Sequence, residues 1–242
     1  MQLGILQCDS VTHELQAEFG DYPDMFRNLL TAVDRSLSFQ VYNLPEEHFP
    51  DDLGVCDGWL FTGSKWSVYD DAPWIRRAEE LTMRLHHERR PTIGICFGHQ
   101  LIARVLGGRV EKSSRGWGVG IHTARLAGQP PAWMQPAADE LSLLVSHQDQ
   151  VVELPPDAEW LAGHDFCGND MFQVGTHMLT FQGHPEFPRA YARAMMMRRR
   201  EKLGEQTYHE GIASLADSSH ELTAARWILA FLDEARSAHA RD

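Results

Sequence analysis

Gly94-Ile95-Cys96-Phe97-Gly98-His99-Gln100 is the stretch that decides how this chain is read. It follows a compact strand-like run, Arg90-Pro91-Thr92-Ile93, and leads into an apolar helix from Leu101 to Leu106. The pattern is a strand, a tight turn with a cysteine at its tip, then a helix. Glycines at 94 and 98 flank Cys96 with the spacing of a Gly-x-Ser-x-Gly nucleophile elbow, a thiol replacing the hydroxyl. In so sharp a turn, side chains two residues either side of the tip collide, and glycine removes the clash. A helix beginning just after Cys96 directs N–H groups and its positive dipole end toward the sulfur, which favours the thiolate. The competing account is a cysteine buried in a core strand, since unpaired Cys is among the most buried residue types. Both glycines and the strand-to-helix context favour the nucleophile.

Upstream, Leu3 to Gln7 reads as a first strand, and Asp21-Tyr22-Pro23-Asp24 opens a helix carried by Met25, Leu29, Leu30 and Val33. Phe39 to Tyr42 is a second strand and Asp57 to Thr62 a third, and Pro73-Trp74-Ile75 starts another helix. Strands alternating with helices predict an α/β fold, a doubly wound, mostly parallel sheet with flanking helices. Ligands then gather outside the carboxyl ends of the strands, where the loops after Gln7, after Thr62 and around Cys96 lie. From Gly107 the texture changes. Gly107 to Val110, Arg115 to Ile121, Leu141 to Val145, Trp160 to Ala162 and Met171 to Val174 predict a small antiparallel extension, and Met178 to Phe181 one more buried strand. The end is helical from 191 to 242, with one helix from Arg189 to Leu203 and another from Ser218 to Leu232, Ser218 and Glu221 forming a capping box. No repeat or linker interrupts the chain, so residues 1–242 are read as a single domain.

A hydrophobic fraction of 43% over 242 residues supports a sizeable core. No apolar run reaches the ~18 residues of a membrane span. The start, Met1-Gln2-Leu3-Gly4-Ile5, lacks the basic region of a signal peptide. A net charge of −12 argues against a nucleic-acid-binding surface. Cysteines at 8, 56, 96 and 167 have no Cys-x-x-Cys spacing, so neither a zinc site nor a disulfide framework is expected, and a cytoplasmic location follows. Cys8, Cys56 and Cys167 are read as small core residues, and His86-His87 as solvated side chains on an amphipathic helix.

A cysteine nucleophile needs a base and a group to orient that base. Phe181-Gln182-Gly183-His184-Pro185-Glu186-Phe187 supplies both: a buried strand ends at Phe181, and Pro185 fixes the backbone so that His184 and Glu186 sit on one side of the turn. His184 is the expected base and Glu186 its orienting carboxylate. An isolated His-x-Glu is more often a solvated loop pair. Its place after a buried strand is what raises it.

Gly94 to Gln100 together with Gly183 to Glu186 resembles the class I glutamine amidotransferase family, whose members carry Gly-x-Cys-x-Gly-His-Gln and a later His-Pro-Glu. Thr62 to Asp70 falls where the family has a Gly-Gly-Pro oxyanion loop. Gly107-Gly108 with Arg115-Gly116-Trp117-Gly118, and Ser146-His147-Gln148-Asp149-Gln150-Val151, are similar to stretches of the glutaminase domain of GMP synthase. The resemblance implies Cys96 as nucleophile toward a γ-glutamyl amide, with His184 and Glu186 completing the catalytic set. It implies an oxyanion hole from the N–H groups of Ser64 and Phe97, with Gly63, Gln100, Ser146, His147 and Gln148 around the substrate. No cofactor and no metal is implied. Two departures stand out. Ser64 and Lys65 replace Gly-Pro, and Gly183 replaces a larger residue, so that Gly183 and Lys65 would widen or recharge the mouth of the pocket.

The substrate implied is glutamine or another γ-glutamyl small molecule. No phosphate-cradling glycine loop is present, so an ATP-using synthetase, if one takes the ammonia, is a separate subunit. Otherwise the protein hydrolyses γ-glutamyl amides for their own sake. Arg115 to Gly120 also resembles γ-glutamyl peptidases of the same superfamily. A catalytically silent binding module and a thiol-based redox protein remain as other classes. Met195-Met196-Met197 followed by Arg198-Arg199-Arg200 suggests either a partner-docking or acid-binding helix, or methionines turned inward with solvated arginines, the second being favoured.

Overall fold

The computed structural model describes residues 1–239, so the last three of the expected 1–242 span lie outside the described residues. The chain opens with β1 (Gln2–Gln7), α1 (His13–Phe19), α2 (Tyr22–Thr31), β2 (Ser38–Asn43), β3 (Gly58–Phe61), α3 (Pro73–His87), β4 (Thr92–Ile95) and α4 (Phe97–Val105). Then come β5 (Arg109–Lys112), β6 (Gly118–Leu126), β7 (Glu140–His147), β8 (Asp149–Glu153), β9 (Ala158–Gly163), β10 (Met171–Val174) and β11 (Met178–Phe181). Four helices follow: α5 (Arg189–Arg198), α6 (Arg200–Leu203), α7 (Glu205–Ser214) and α8 (Glu221–His239).

Nine strands make one sheet in the order β2-β1-β3-β4-β11-β10-β9-β6-β7, and β5 pairs with β8 in a separate ribbon. The block from β2 to β11 is parallel, and each later pairing in the large sheet is antiparallel. Alternate side chains of the parallel strands feed two cores. Leu3, Ile5, Leu60, Ile93, Ile95 and Leu179 pack beneath α2 and α8, while Trp59, Phe61 and Met178 pack beneath α3 and α4. Helices on both faces are what a doubly wound sheet requires, because both faces of a parallel sheet must be covered. Among the described residues, no helix is long and apolar enough to cross a membrane.

Several local expectations need correction. The Arg189–Leu203 helix is interrupted at Arg199, whose φ of −103° and ψ of 11° end α5. Ser218 does not cap α8. That helix starts at Glu221 because His220 is pinned to β7, its N–H donating to Ser142 O (2.8 Å) while its Nδ1 accepts from Ser142 N (3.1 Å). The Ser146 to Asp149 segment is not a loop but the junction of β7 and β8, with Gln148 alone between them. His86 is only partly solvated, its Nδ1 lying 3.1 Å from Nε2 of buried His177, whereas His87 is exposed. The strand expected from Arg115 begins at Gly118.

Helix α7 reaches β6 through two glycines. A Cβ on Gly211 would meet Val119 Cγ2 at 2.7 Å, and one on Gly120, where φ is +89°, would meet Ser214 Oγ at 2.1 Å. That close approach carries the α5–α7 arm across the carboxyl end of the sheet.

Buried His99, His147 and His177 are neutral, because burial pushes their pKa down to about 3, 4 and 4. Unfolded histidines bind protons near pH ~6.5, so the unfolded chain gains protons first as pH falls. The stability these rings contribute is therefore present above ~6.5 and lost toward pH 4. Denaturant unfolding at pH 7 and pH 5 is expected to show a fall of about 1 to 2 kcal/mol for each ring. An unchanged midpoint would mean that the rings are already solvated in the folded protein.

Candidate active site

Cys96 stands at the end of β4 with φ 50° and ψ −93°, and α4 starts at the next residue. Both flanking glycines are required by contact. A Cβ on Gly94 would lie 2.7 Å from Gly98 O, and one on Gly98 would lie 2.5 Å from Phe61 Cβ. The Cys96 N–H donates to Phe181 O (2.8 Å), which ties the turn to the end of β11. Beneath the turn, buried His99 Nδ1 lies 2.9 Å from Thr180 Oγ1. Thr180 spends its own hydrogen on Phe172 O, so His99 is the donor.

Three residues beyond β11, His184 donates its N–H to Leu144 O (2.7 Å) and stacks on Phe187 with ring centroids 3.9 Å apart. Its Nδ1 lies 2.7 Å from Glu186 Oε1, both side chains being buried. The opposite nitrogen is left free on the side of the Cys96 thiol, which lines the same pocket. Burial opposes a charge on His184, but Glu186 and the Cys96 sulfur outweigh it and hold the imidazolium well above its usual pKa. A thiol, an imidazole and a carboxylate thus stand together at the carboxyl ends of two neighbouring parallel strands, β4 and β11.

A third parallel strand, β3, delivers the loop of Gly63, Ser64 and Lys65. Gly63 packs on His184, where a Cβ would sit 2.6 Å from Cε1. Ser64 Oγ donates to Cys8 O (3.0 Å), and buried Asp9 accepts from both the Lys65 N–H (2.9 Å) and its ammonium (2.9 Å). A proline at 65 could not donate that N–H. Lys65 does reach the mouth of the pocket, but Asp9 neutralises it. Gly183 does not widen the mouth: it is packed against β7, where a Cβ would lie 2.8 Å from Leu143 Cβ.

An open pocket of about 170 Å³ lies in front of Cys96. Of the residues singled out in the sequence, Ser64, Gln100, Ser146, His147, Gln148 and His184 line it with the cysteine. Glu186 sits behind His184. The Phe97 ring turns into the core, 5.4 Å from that of Trp74, leaving its backbone at the turn. Gln100 Nε2 donates to Asp149 O (2.9 Å) and Gln182 Oε1 (3.1 Å), and His147 Nδ1 also reaches Asp149 O (3.0 Å). The Asp149 carboxylate is taken by Ser67 and Tyr69. Buried Cys8 and Cys167 have thiols that burial pushes well above the usual range, which makes them poor nucleophiles.

Sequence reading missed Asp9, Lys112, Arg199 and Lys202 at this site. Asp9 falls in the loop after β1, which was placed at the sheet's rim. Arg199 lies within the arginine run, which gave a signal but not a direction. Of its neighbours, Arg198 pairs with Glu14 (3.4 Å) and Arg200 with Glu205, while Arg199 enters the pocket wall. Met195 and Met196 are buried as expected, and Met197 is 59% exposed.

The family model for glutamine amidotransferase class-I matches residues 24–201. The chain belongs to that family. It is 32% identical to gamma-glutamyl peptidase 3 of Arabidopsis thaliana over 192 residues, 76% of each chain. It is 30% identical to the glutamine-hydrolyzing GMP synthase of Porphyromonas gingivalis over 169 residues, which are 69% of this chain and 32% of that protein. A glutamine amidotransferase structure from Thermotoga maritima superposes with a TM-score of 0.73, at 19% identity over 97% of both chains, which bears on the fold. The expectation of an enzyme of this family, with its mixed α/β architecture, therefore stands.

Replacing Glu186 by Gln removes the charge that supports the His184 imidazolium. Iodoacetamide modification of Cys96 at pH 7 is expected to slow about tenfold, the equivalent of one pKa unit. An unchanged rate would mean that Glu186 has no electrostatic role at the thiol.

Proposed function

We propose that the protein hydrolyses γ-glutamyl amides through a Cys96–His184–Glu186 triad and a glutamyl thioester. The observation that carries this reading is the buried His184–Glu186 pair, 2.7 Å apart, on the pocket that Cys96 also lines. Cys96 Sγ attacks the γ-carbonyl carbon, forming a C–S bond while the carbonyl oxygen takes the charge. The N–H groups of Ser64 and Phe97 receive that oxyanion, about 3 to 4 kcal/mol being typical for one such donor. His184 passes its proton to the departing nitrogen, the C–N bond breaks, and ammonia or an amine leaves. Water then attacks the thioester with His184 taking its proton, the C–S bond breaks, and glutamate leaves. With its amide nitrogen engaged by Asp149 and Gln182, Gln100 offers Oε1 to the glutamyl group, and Ser146 and Gln148 border the same space.

The peptidase relatives favour an enzyme that needs no partner. The likeness to GMP synthase supports a second reading, in which glutamine is the substrate and a separate synthetase subunit uses the ammonia. Glutamate release by the isolated chain from glutamine and from γ-glutamyl peptides separates the two. Turnover of peptides with glutamine poor is the expected outcome, and Cys96→Ala is expected to lower kcat about 10⁴-fold or more. Weak release from glutamine alone would favour the synthetase reading. No Cys96-dependent release from any substrate would leave a binding module.

A further inference from the structure

Arg199 and Lys202 on the outer wall of the pocket have no carboxylate of their own, whereas Lys112 on the same wall stands opposite Asp149 in the β5–β8 register. Neither Arg199 nor Lys202 forms an ion pair among the described residues. The cations beside them do: Arg198 with Glu14, Arg200 with Glu205, Arg109 with Glu111 and Glu153, and Lys65 with Asp9. In a chain of net charge −12, an uncompensated positive wall is not a by-product of composition. Arg199 is also held in place. Its Nη1 donates to Ser146 Oγ (3.2 Å), which uses one of five N–H donors, and its guanidinium lies 5.9 Å from the centroid of the Trp117 ring. Lys202 Nζ lies 4.7 Å from the same ring. One indole ring therefore gathers two cations beside the mouth.

The glutamyl head does not account for these two charges. Its α-carboxylate and α-ammonium sum to zero, so a wall of this strength exceeds what the part common to all γ-glutamyl substrates can balance. Like charges at one wall repel, and an anion seated among them relieves the repulsion. We infer that this wall selects substrates whose leaving amine carries a carboxylate, an amino acid or short peptide rather than ammonia or a neutral amine. The inference rests on the reading of Cys96 as the nucleophile. Arg199 supplies the directional contact, since its planar fork matches a carboxylate, and Lys202 supplies charge.

The test compares γ-glutamyl-alanine with γ-glutamyl-alaninamide, which differ only in the charge of the leaving amine. Glutamate release by the purified chain is expected to favour the acid in kcat/KM by about ten- to a hundredfold, the size of one charge-assisted hydrogen bond. That preference should shrink about tenfold or more in Arg199→Gln, by a smaller factor in Lys202→Gln, and progressively as salt rises from about 0.05 to 0.5 M. Exposed Lys202 keeps the test informative if loss of the Arg199–Ser146 bond impairs folding. Equal Cys96-dependent rates for acid and amide would overturn the inference and leave the hydrolase reading intact. A preference unchanged in the variants, with both substrates slowed alike, would also overturn it, assigning the wall to the glutamyl carboxylate. Release from neither would overturn both.

Discussion

The left-handed backbone of Cys96 is the constraint on which the site depends. A non-glycine residue at φ 50° costs about 1 to 3 kcal/mol and persists only where its surroundings leave it no alternative. Here β4 is clamped on one side by β3 and on the other by β11, and Phe181 O takes the Cys96 N–H. Gly98 lies against Phe61 with no room for a methyl group. The strands that enforce the strained turn are also those whose ends carry Gly63, Ser64 and His184. Strain and assembly therefore have one cause, the parallel pairing of β3, β4 and β11, and loosening either neighbour would release the turn and scatter its partners.

That part of the molecule was legible because its signals are short in sequence. The Gly94–Gly98 spacing, the four-residue apolar strand before His184, and the proline between His184 and Glu186 each act within a few residues of the side chains they place. The helix opened by Asp21 was equally plain, and Asp21 and Asp24 do form a reciprocal cap. Helix α7 was not legible, and the reason is physical. Gly211 is its only fully buried residue, and Tyr208 and Ile212 alone pack partly against the core, which leaves too short a hydrophobic period to read. Helix α1 has no fully buried residue, only Leu15 and Phe19 packing partly against the core. Strand β8 is only five residues long, and its pairing with β5 depends on contacts some 40 residues apart, which local patterning does not report.

The loop of Gly63, Ser64 and Lys65 shows how a departure from a family pattern can be accommodated. With Ser64 and Lys65 in place of Gly-Pro, the loop gains hydrogen bonds to Cys8 O and to buried Asp9. Asp9 follows β1, the strand next to β3, so the loop is braced from the neighbouring strand rather than stiffened by a proline ring. The lysine charge, which in sequence looked like a change to the mouth of the pocket, is spent on that brace. Charges must therefore be counted after pairing.

The same counting explains why the arginine run could not be interpreted from sequence. Consecutive residues on a helix point about 100° apart, so three arginines in a row cannot form one basic face. Each meets its own surroundings: Arg198 faces Glu14 of α1, Arg200 faces Glu205 of α7, and Arg199, at the break between α5 and α6, turns toward Ser146 and the pocket. Arg198 fastens the arm to α1, and Arg200 braces the α6–α7 joint within it. The middle one is left to meet whatever enters in front of Cys96. Pairing removes the outer charges from any field that a ligand would feel, whereas Arg199 keeps its own, reinforced by Lys202 across the Trp117 ring. The reacting centre is internally balanced by Glu186 and His184, so the positive potential at this site belongs to its outer wall, where a leaving amine would lie.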